Sequence, residues 1–259
     1  MNFVFDLDGT ICFKGEPVSE IILDALEEIR DRGHQVVFAS ARPIRDMLPV
    51  LAPRVQGYPL IGGNGSLIRL DYDIKDSLPF TDEQIGRIKE LIVEYEAGYL
   101  IDGEWNYSYT GPADHPIVSR VDPAKLAEQV DLSDHRTIVK ALIVSATNMD
   151  ELADKLSELD VVIHRHHSEN IIDISPNGVD KWSALSRAGL GEQPYVAFGN
   201  DANDISLFQH ACHSVMIGHH EELVQYATES ISLGADTEKR IMERLRELAD
   251  SYETAAMRS

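Results

Sequence analysis

The stretch Asn2-Phe3-Val4-Phe5-Asp6-Leu7-Asp8-Gly9-Thr10 sets two carboxylates one residue apart where an apolar run, readable as a first strand, empties into a turn. Neighbouring anions repel, and each resists ionisation unless a cation sits between them. A hard divalent ion such as Mg²⁺, which prefers oxygen ligands, answers that need. Asp and Gly are also ordinary turn residues. The remainder of the chain has to decide between a plain strand-end turn and a reactive site.

Working outward, the same pattern returns far along the sequence, where Tyr195-Val196-Ala197-Phe198 runs into Gly199-Asn200-Asp201-Ala202-Asn203-Asp204. Between the two lie Phe38-Ala39-Ser40-Ala41-Arg42, a strand followed by a hydroxyl and a guanidinium, and Lys181, just after Pro176-Asn177-Gly178. Ligands of open α/β sheets gather beyond the carboxyl ends of strands. Four such ends bearing carboxylate, hydroxyl, amide and ammonium groups describe one pocket.

In their order and setting these segments resemble the four motifs of the haloacid-dehalogenase-like (HAD) superfamily of phosphohydrolases, over nearly the whole chain. Ile61-Gly62-Gly63-Asn64-Gly65-Ser66, the segment Ile174 to Lys181 and the large insert between the second and third motifs resemble the Cof-type branch, which carries a type IIB cap. The resemblance implies an α/β fold: a doubly wound, Rossmann-like parallel-sheet core from residues 1–78 and 176–259, and an inserted α+β cap from 79–175. It implies a Mg²⁺-dependent phosphatase. Asp6 would be the nucleophile and form an aspartyl-phosphate, Asp8 would serve as acid and then base, and Lys181 would supply fixed positive charge.

Phosphate and substrate contacts then fall to Gly9, Thr10, Ser40, Ala41, Arg42, Asn64 and Asn203. Metal ligation falls to Asp6, Asp8, Asp204 and the Asn200/Asp201 pair. Cof-type members read Gly-Asp-x-x-Asn-Asp where this chain has Asn200, with Asp201 one step later. Either the neutral Asn200 amide oxygen or Asp201 is the ligand. Taken singly, Ser40 also reads as a helix cap, Lys181 as a solvated lysine and Arg42 as the partner of a surface acid. The implied substrate is a small phosphorylated metabolite, with sugar phosphates first. A phosphomutase sharing the same intermediate is one alternative. A phospho-accepting regulatory protein is another, although receiver domains lack an Asp-x-Asp-Gly-Thr first strand and so large an insert.

At 259 residues and 43% hydrophobic content the chain can bury one large or two modest cores. A formal charge of -21 argues against a nucleic-acid partner, whose binding rests on Lys and Arg. It also requires any anionic substrate to meet a local reversal of the field, from metal, Lys181, Arg42 and backbone amides. No stretch approaches the ~20 apolar residues of a membrane span, and Met1 leads directly into the first strand, so a cytoplasmic protein, monomeric or homodimeric, is expected. Cys12 and Cys212 have no metal-ligand spacing and read as plain thiols.

Ile22, Leu26 and Ile29 share one helical face that ends before Gly33, and Gln35 to Ala39 follows as a buried strand. Strand, helix, strand implies a right-handed parallel unit. In the insert, the pattern predicts helices at 81–96, 123–130 and 149–159, a hairpin around Asp102-Gly103-Glu104, and strands at 137–145, 161–166 and 171–174: a duplicated α-β-β layout. Trp105, Tyr107 and Tyr109 share a strand face expected to pack under the cap helices. His164, His166, His167 and Glu169 are expected at an exposed sheet edge rather than around a metal.

Overall fold

A computed structural model describes residues 1–166 and 170–256. In chain order the elements are β1 (Asn2–Phe5), α1 (Glu20–Asp31), β2 (Gln35–Ala39), α2 (Ile44–Met47), β3 (Leu60–Gly62), β4 (Leu67–Leu70) and β5 (Asp73–Ser77). Next come α3 (Asp82–Glu94), β6 (Gly98–Asp102), β7 (Tyr107–Thr110), β8 (Lys140–Ser145), α4 (Met149–Ser157), β9 (Val161–His166) and β10 (Ile171–Pro176). The chain then returns through α5 (Lys181–Arg187), β11 (Tyr195–Gly199), α6 (Ile205–His210), β12 (His213–Ile217), β13 (Glu229–Ile231) and α7 (Thr237–Ala256).

The first sheet has the order β13-β12-β11-β1-β2-β3-β4-β5 and is parallel from β13 to β3. Period-2 alternation sorts its side chains onto two faces. Phe3, Phe5, Val36, Phe38, Val196 and Phe198 join Ile22, Leu26 and Ile29 of α1 and Ile241 and Leu245 of α7 on one side. Val4, Val37, Ala39, Tyr195 and Ala197 meet Leu185 of α5 and Leu207 of α6 on the other. Helices on both faces explain why these strands read as unbroken apolar runs. The antiparallel β4 and β5 extend one edge and were not foreseen; β5, Asp-Ile-Lys-Asp-Ser, is polar at every position but Ile74 and mostly exposed, so no apolar run marks it.

The second sheet, β7-β6-β8-β10-β9, is wholly antiparallel and built from the insert. One face carries Tyr99, Ile101, Ala141, Ile143, Ile172 and Ile174 against Ile88, Leu91, Leu152 and Leu156 of α3 and α4. Thr81 starts α3 with a reciprocal cap, its hydroxyl accepting from Gln84 N while the Gln84 side chain accepts from Thr81 N. Two α-β-β units are present, α3-β6-β7 and α4-β9-β10, with β8 between them. The last strand reaches Pro176, which pairs with Val161.

Two expectations for the insert are corrected. Residues 123–130 form no helix: Asp122 and Lys125 have positive φ, and the Asp122 carboxylate accepts from Leu126 N (2.7 Å) and Ala127 N (3.0 Å). A side chain that takes up local N–H groups competes with the helical ladder. The aromatic strand face points away from the cap helices. Trp105 packs on the main-sheet core, Tyr107 lies under the Arg45 guanidinium, and it is Ser108 on the opposite face that is buried. His164 is exposed on the edge strand β9, whereas His167 and Glu169 lie outside the described residues.

Candidate active site

The carboxyl ends of β1, β2, β3 and β11 meet at one edge of the main sheet, next to the point where connections from β1 diverge to either side. Asp6 follows β1 directly and is 4% exposed. Lys181 opens α5, and its direction is set by Asp180, whose carboxylate accepts from Trp182 N and Ser183 N at 2.9 Å each. Its ammonium is fully buried and donates to Asp6 Oδ1 (2.7 Å) and Asp204 Oδ1 (2.6 Å). The other Asp204 oxygen accepts from Asn200 N (2.8 Å) and Asp201 N (3.2 Å), which shapes the fourth loop.

Two buried carboxylates share one buried ammonium, so the cluster carries excess negative charge. Burial pushes the Asp6 carboxyl up to about 7; Asp204 and Asp8 add to the rise, and Lys181 opposes it. Burial works against the Lys181 ammonium, but Asp204 and Asp6 overcome it and hold its pKa above the ordinary lysine range. Asp6 thus keeps its proton to higher pH than an ordinary carboxyl, and positive charge placed beside it would oppose that rise.

The second Asp6 oxygen accepts from Thr10 Oγ1 (3.0 Å). Around it converge Asn200, whose amide end lies 3.1 Å from Asp6 Oδ2, 3.0 Å from the Asp8 carbonyl oxygen and 3.2 Å from Thr10 Oγ1. With nitrogen inward the amide's two protons are shared among these three oxygens. With oxygen inward, Asn200 Oδ1 stands 3.1 Å from Asp6 Oδ2 and 3.0 Å from Asp8 O, and these are oxygen donors of the kind a hard divalent ion prefers. Gly9 makes this approach possible: its φ is +79°, and a Cβ there would stand 2.3 Å from the Asn200 amide.

Several expected site residues are placed differently. Asp201 turns outward, accepting from Ala202 N (2.6 Å) and pairing with His220 Nε2 (3.1 Å), so it does not face Asp6. Asp204 gives one oxygen to Lys181 and the other to the Asn200 and Asp201 amides, so it orients both the ammonium and the fourth loop. For Asp8 it is the backbone oxygen that faces the cluster; its carboxylate takes two hydrogen bonds from Arg42, Nε to Oδ2 (2.7 Å) and Nη2 to Oδ1 (2.6 Å). Ser40 Oγ accepts from Arg42 N (3.1 Å) and is buried, and Ala41 lines the cleft beside Arg42. Asn64, held at φ 57°, accepts from Asn203 Nδ2 (3.1 Å), so these two amides tie their loops together. Gly9 and Thr10 shape the first loop.

Over this edge the insert's sheet encloses a cleft of about 710 Å³, lined by Asp8 and Arg42 below and by Leu100, Asp102, Lys140 and Leu142 above. The seam beside it holds a latch that sequence reading missed. Arg45, 1% exposed, donates to Asp46 (2.8 and 2.9 Å), Asp102 Oδ1 (2.9 Å) and Trp105 O (2.8 Å), and Asp122 N donates to Asp46 Oδ1 (2.9 Å). Burial pushes Asp102 up, against the pull of Arg45. An acid at the end of the buried strand Tyr99-Leu100-Ile101-Asp102 was the signal available in the sequence.

The profile of the haloacid dehalogenase-like hydrolases matches residues 3–238. The chain belongs to that family. The 5-amino-6-(5-phospho-D-ribitylamino)uracil phosphatase YitU of Bacillus subtilis is 23% identical over 82% of this chain and 84% of its own length. A solved haloacid dehalogenase-like hydrolase from Bacteroides thetaiotaomicron superposes with a TM-score of 0.78 at 20% identity, covering 95% of this chain and 98% of its own. The HAD subclass IIB sugar phosphatase BT4131 superposes at 0.71 and 17% identity, covering 95% and 98%. This HAD-family chain is a phosphoric monoester hydrolase with the Cof-type, IIB-capped fold. Among its described residues no helix is long and apolar enough to cross a membrane.

Proposed function

We propose that this HAD-family enzyme is a Mg²⁺-dependent phosphatase of small phosphorylated metabolites, sugar phosphates first, that works through an aspartyl-phosphate on Asp6. The observation that carries the reading is the buried Asp6–Lys181–Asp204 cluster, with the second Asp6 oxygen beside an Asn200 amide that also meets the Asp8 carbonyl. Asp6, the Asp8 backbone oxygen and the Asn200 amide oxygen are the residues that would hold Mg²⁺. When bound, the ion supplies the positive charge that ionises Asp6 and offsets the incoming phosphate.

Asp6 attacks phosphorus, the phosphorus–oxygen bond to the leaving alcohol breaks, and Asp8 hands that oxygen its proton. Asp8 then removes a proton from water, the water oxygen bonds to phosphorus, and the Asp6–phosphorus bond breaks to release phosphate. For this role the Asp8 carboxylate has to leave Arg42, which frees the guanidinium for a phosphoryl oxygen. Lys181 keeps Asp6 in place throughout. Residues 79–175 act as the cap that excludes water. The free thiols of Cys12 and Cys212 suit the reducing interior of a cytoplasmic enzyme.

p-Nitrophenyl phosphate is expected to be hydrolysed with Mg²⁺ and not in EDTA, with free phosphate released from sugar phosphates. Equal rates with and without the metal sink the metal-dependent reading. Formation of an isomeric phosphate ester in place of free phosphate makes the enzyme a mutase.

A further inference from the structure

Along the cleft side of the cap sheet the residues alternate with those buried under α3 and α4: Leu100 and Asp102 on β6, Lys140 and Leu142 on β8, Asp173 on β10. In register, Lys140 stands opposite Asp102, and Leu142 stands between Leu100 and Asp173. Lys140 is 7% exposed, an unusual degree of burial for a lysine. Its ammonium pairs with Asp173 Oδ2 at 2.9 Å. An ammonium has three protons to donate, and Asp173 Oδ2 faces one of them, while the side chain lines the cleft that also holds Asp8 and Arg42.

Resting on the phosphatase reading above, we propose that Lys140 is the specificity-determining residue of this enzyme and donates a hydrogen bond to an uncharged oxygen, hydroxyl or carbonyl, of the leaving group. A buried lysine between two carboxylate-bearing strands has its charge largely neutralised, so it has little surplus attraction for a second anionic group. Its unspent protons still require acceptors once the cap excludes water. Leu100 and Leu142 flank it and cover the apolar face of a ring or chain. A substrate that presents no oxygen there leaves the ammonium desolvated and under-bonded, and discrimination of this kind exceeds what a missing methylene achieves.

The test compares kcat/KM for the sugar phosphate that the wild type turns over fastest with kcat/KM for phenyl phosphate, whose leaving group has no second oxygen. In Lys140→Met the ratio of the two is expected to fall by at least roughly ten-fold, mainly through KM, which corresponds to about 1.4 kcal/mol. Lys140→Arg, which keeps donors at that place, is expected to restore part of the ratio. A ratio within two-fold of wild type in Lys140→Met overturns the proposal. Should the methionine variant lose its fold by circular dichroism, Lys140→Gln, which keeps one donor for Asp173, is put through the same comparison and judged by the same criterion. Failure of the wild type to hydrolyse phenyl phosphate with Mg²⁺ would instead overturn the phosphatase reading.

Discussion

Asp6 is the residue on which charge and chemistry meet. Its carboxyl is raised from an ordinary 3.8 to about 7, first by burial. A folded-state pKa above the unfolded one means that folding binds a proton. The stability this represents is present below about pH 4 and is lost as pH rises toward 7. Asp6→Asn leaves Lys181 with Asp204 as a balanced pair. In EDTA that variant is expected to melt higher than wild type at pH 7, and by less at pH 4, in calorimetric scans; its turnover is expected to fall by roughly 10³-fold or more. Asn200 is the second residue to probe. Replacing its neutral oxygen by a carboxylate, Asn200→Asp, is expected to tighten Mg²⁺ on the order of ten-fold by calorimetric titration and to lower the melting temperature in EDTA, because it adds a third acid to the cluster. An unchanged Mg²⁺ affinity would remove Asn200 from the ligand set.

At the scale of elements, the latch between α2 and the cap hairpin is where stability and motion meet. Arg45→Met strands Asp46 and Asp102 in the seam without their cation, and removing one partner of a buried ion pair costs about 3–5 kcal/mol. Denaturant unfolding is expected to show a loss of that order, partly recovered when Asp46→Asn and Asp102→Asn are added; a change below about 1 kcal/mol would show the pair to be dispensable. The latch also marks the limit of what could be read in advance. Apolar runs ending in Asp6, Ser40 and Gly199 announced β1, β2 and β11 because strands buried on both faces carry an uninterrupted signal. Asp6 and the Asn200/Asp201 pair follow such strands directly, whereas Lys181 opens a helix and stood out only through the family resemblance. Side-chain pairings between distant segments, Arg45 with Asp102 across the seam or Lys140 with Asp173 within the insert's own sheet, join residues whose separation in sequence follows no local period. The 123–130 segment misled because Ala, Leu, Glu and Gln favour a helix, while Asp122 draws the same N–H groups into a loop docked on Asp46.

Across the whole molecule the charge of -21 sets the far field. An anionic monoester would approach against that field, and because the cluster around Lys181 is itself net negative, a bound cation together with Arg42 has to reverse the field locally. Raising ionic strength shortens the reach of the repulsion, to about 10 Å at 0.1 M. Between roughly 20 and 200 mM KCl at fixed Mg²⁺, kcat/KM for an anionic monoester is therefore expected to rise a few-fold. A fall would mean that local positive charge, not the net charge, governs encounter.

The strand order β11-β1-β2 has a consequence for biosynthesis. β1 and β2 leave the ribosome early and can pair at once, yet the other flank of β1 belongs to Tyr195–Gly199, and Lys181 follows Asp6 by 175 residues. A nascent chain stalled anywhere before α5 exposes one edge of its first strand and holds an acid without its counter-charge. The buried Asp6–Lys181 pair is therefore completed only once the distal third of the chain has been delivered.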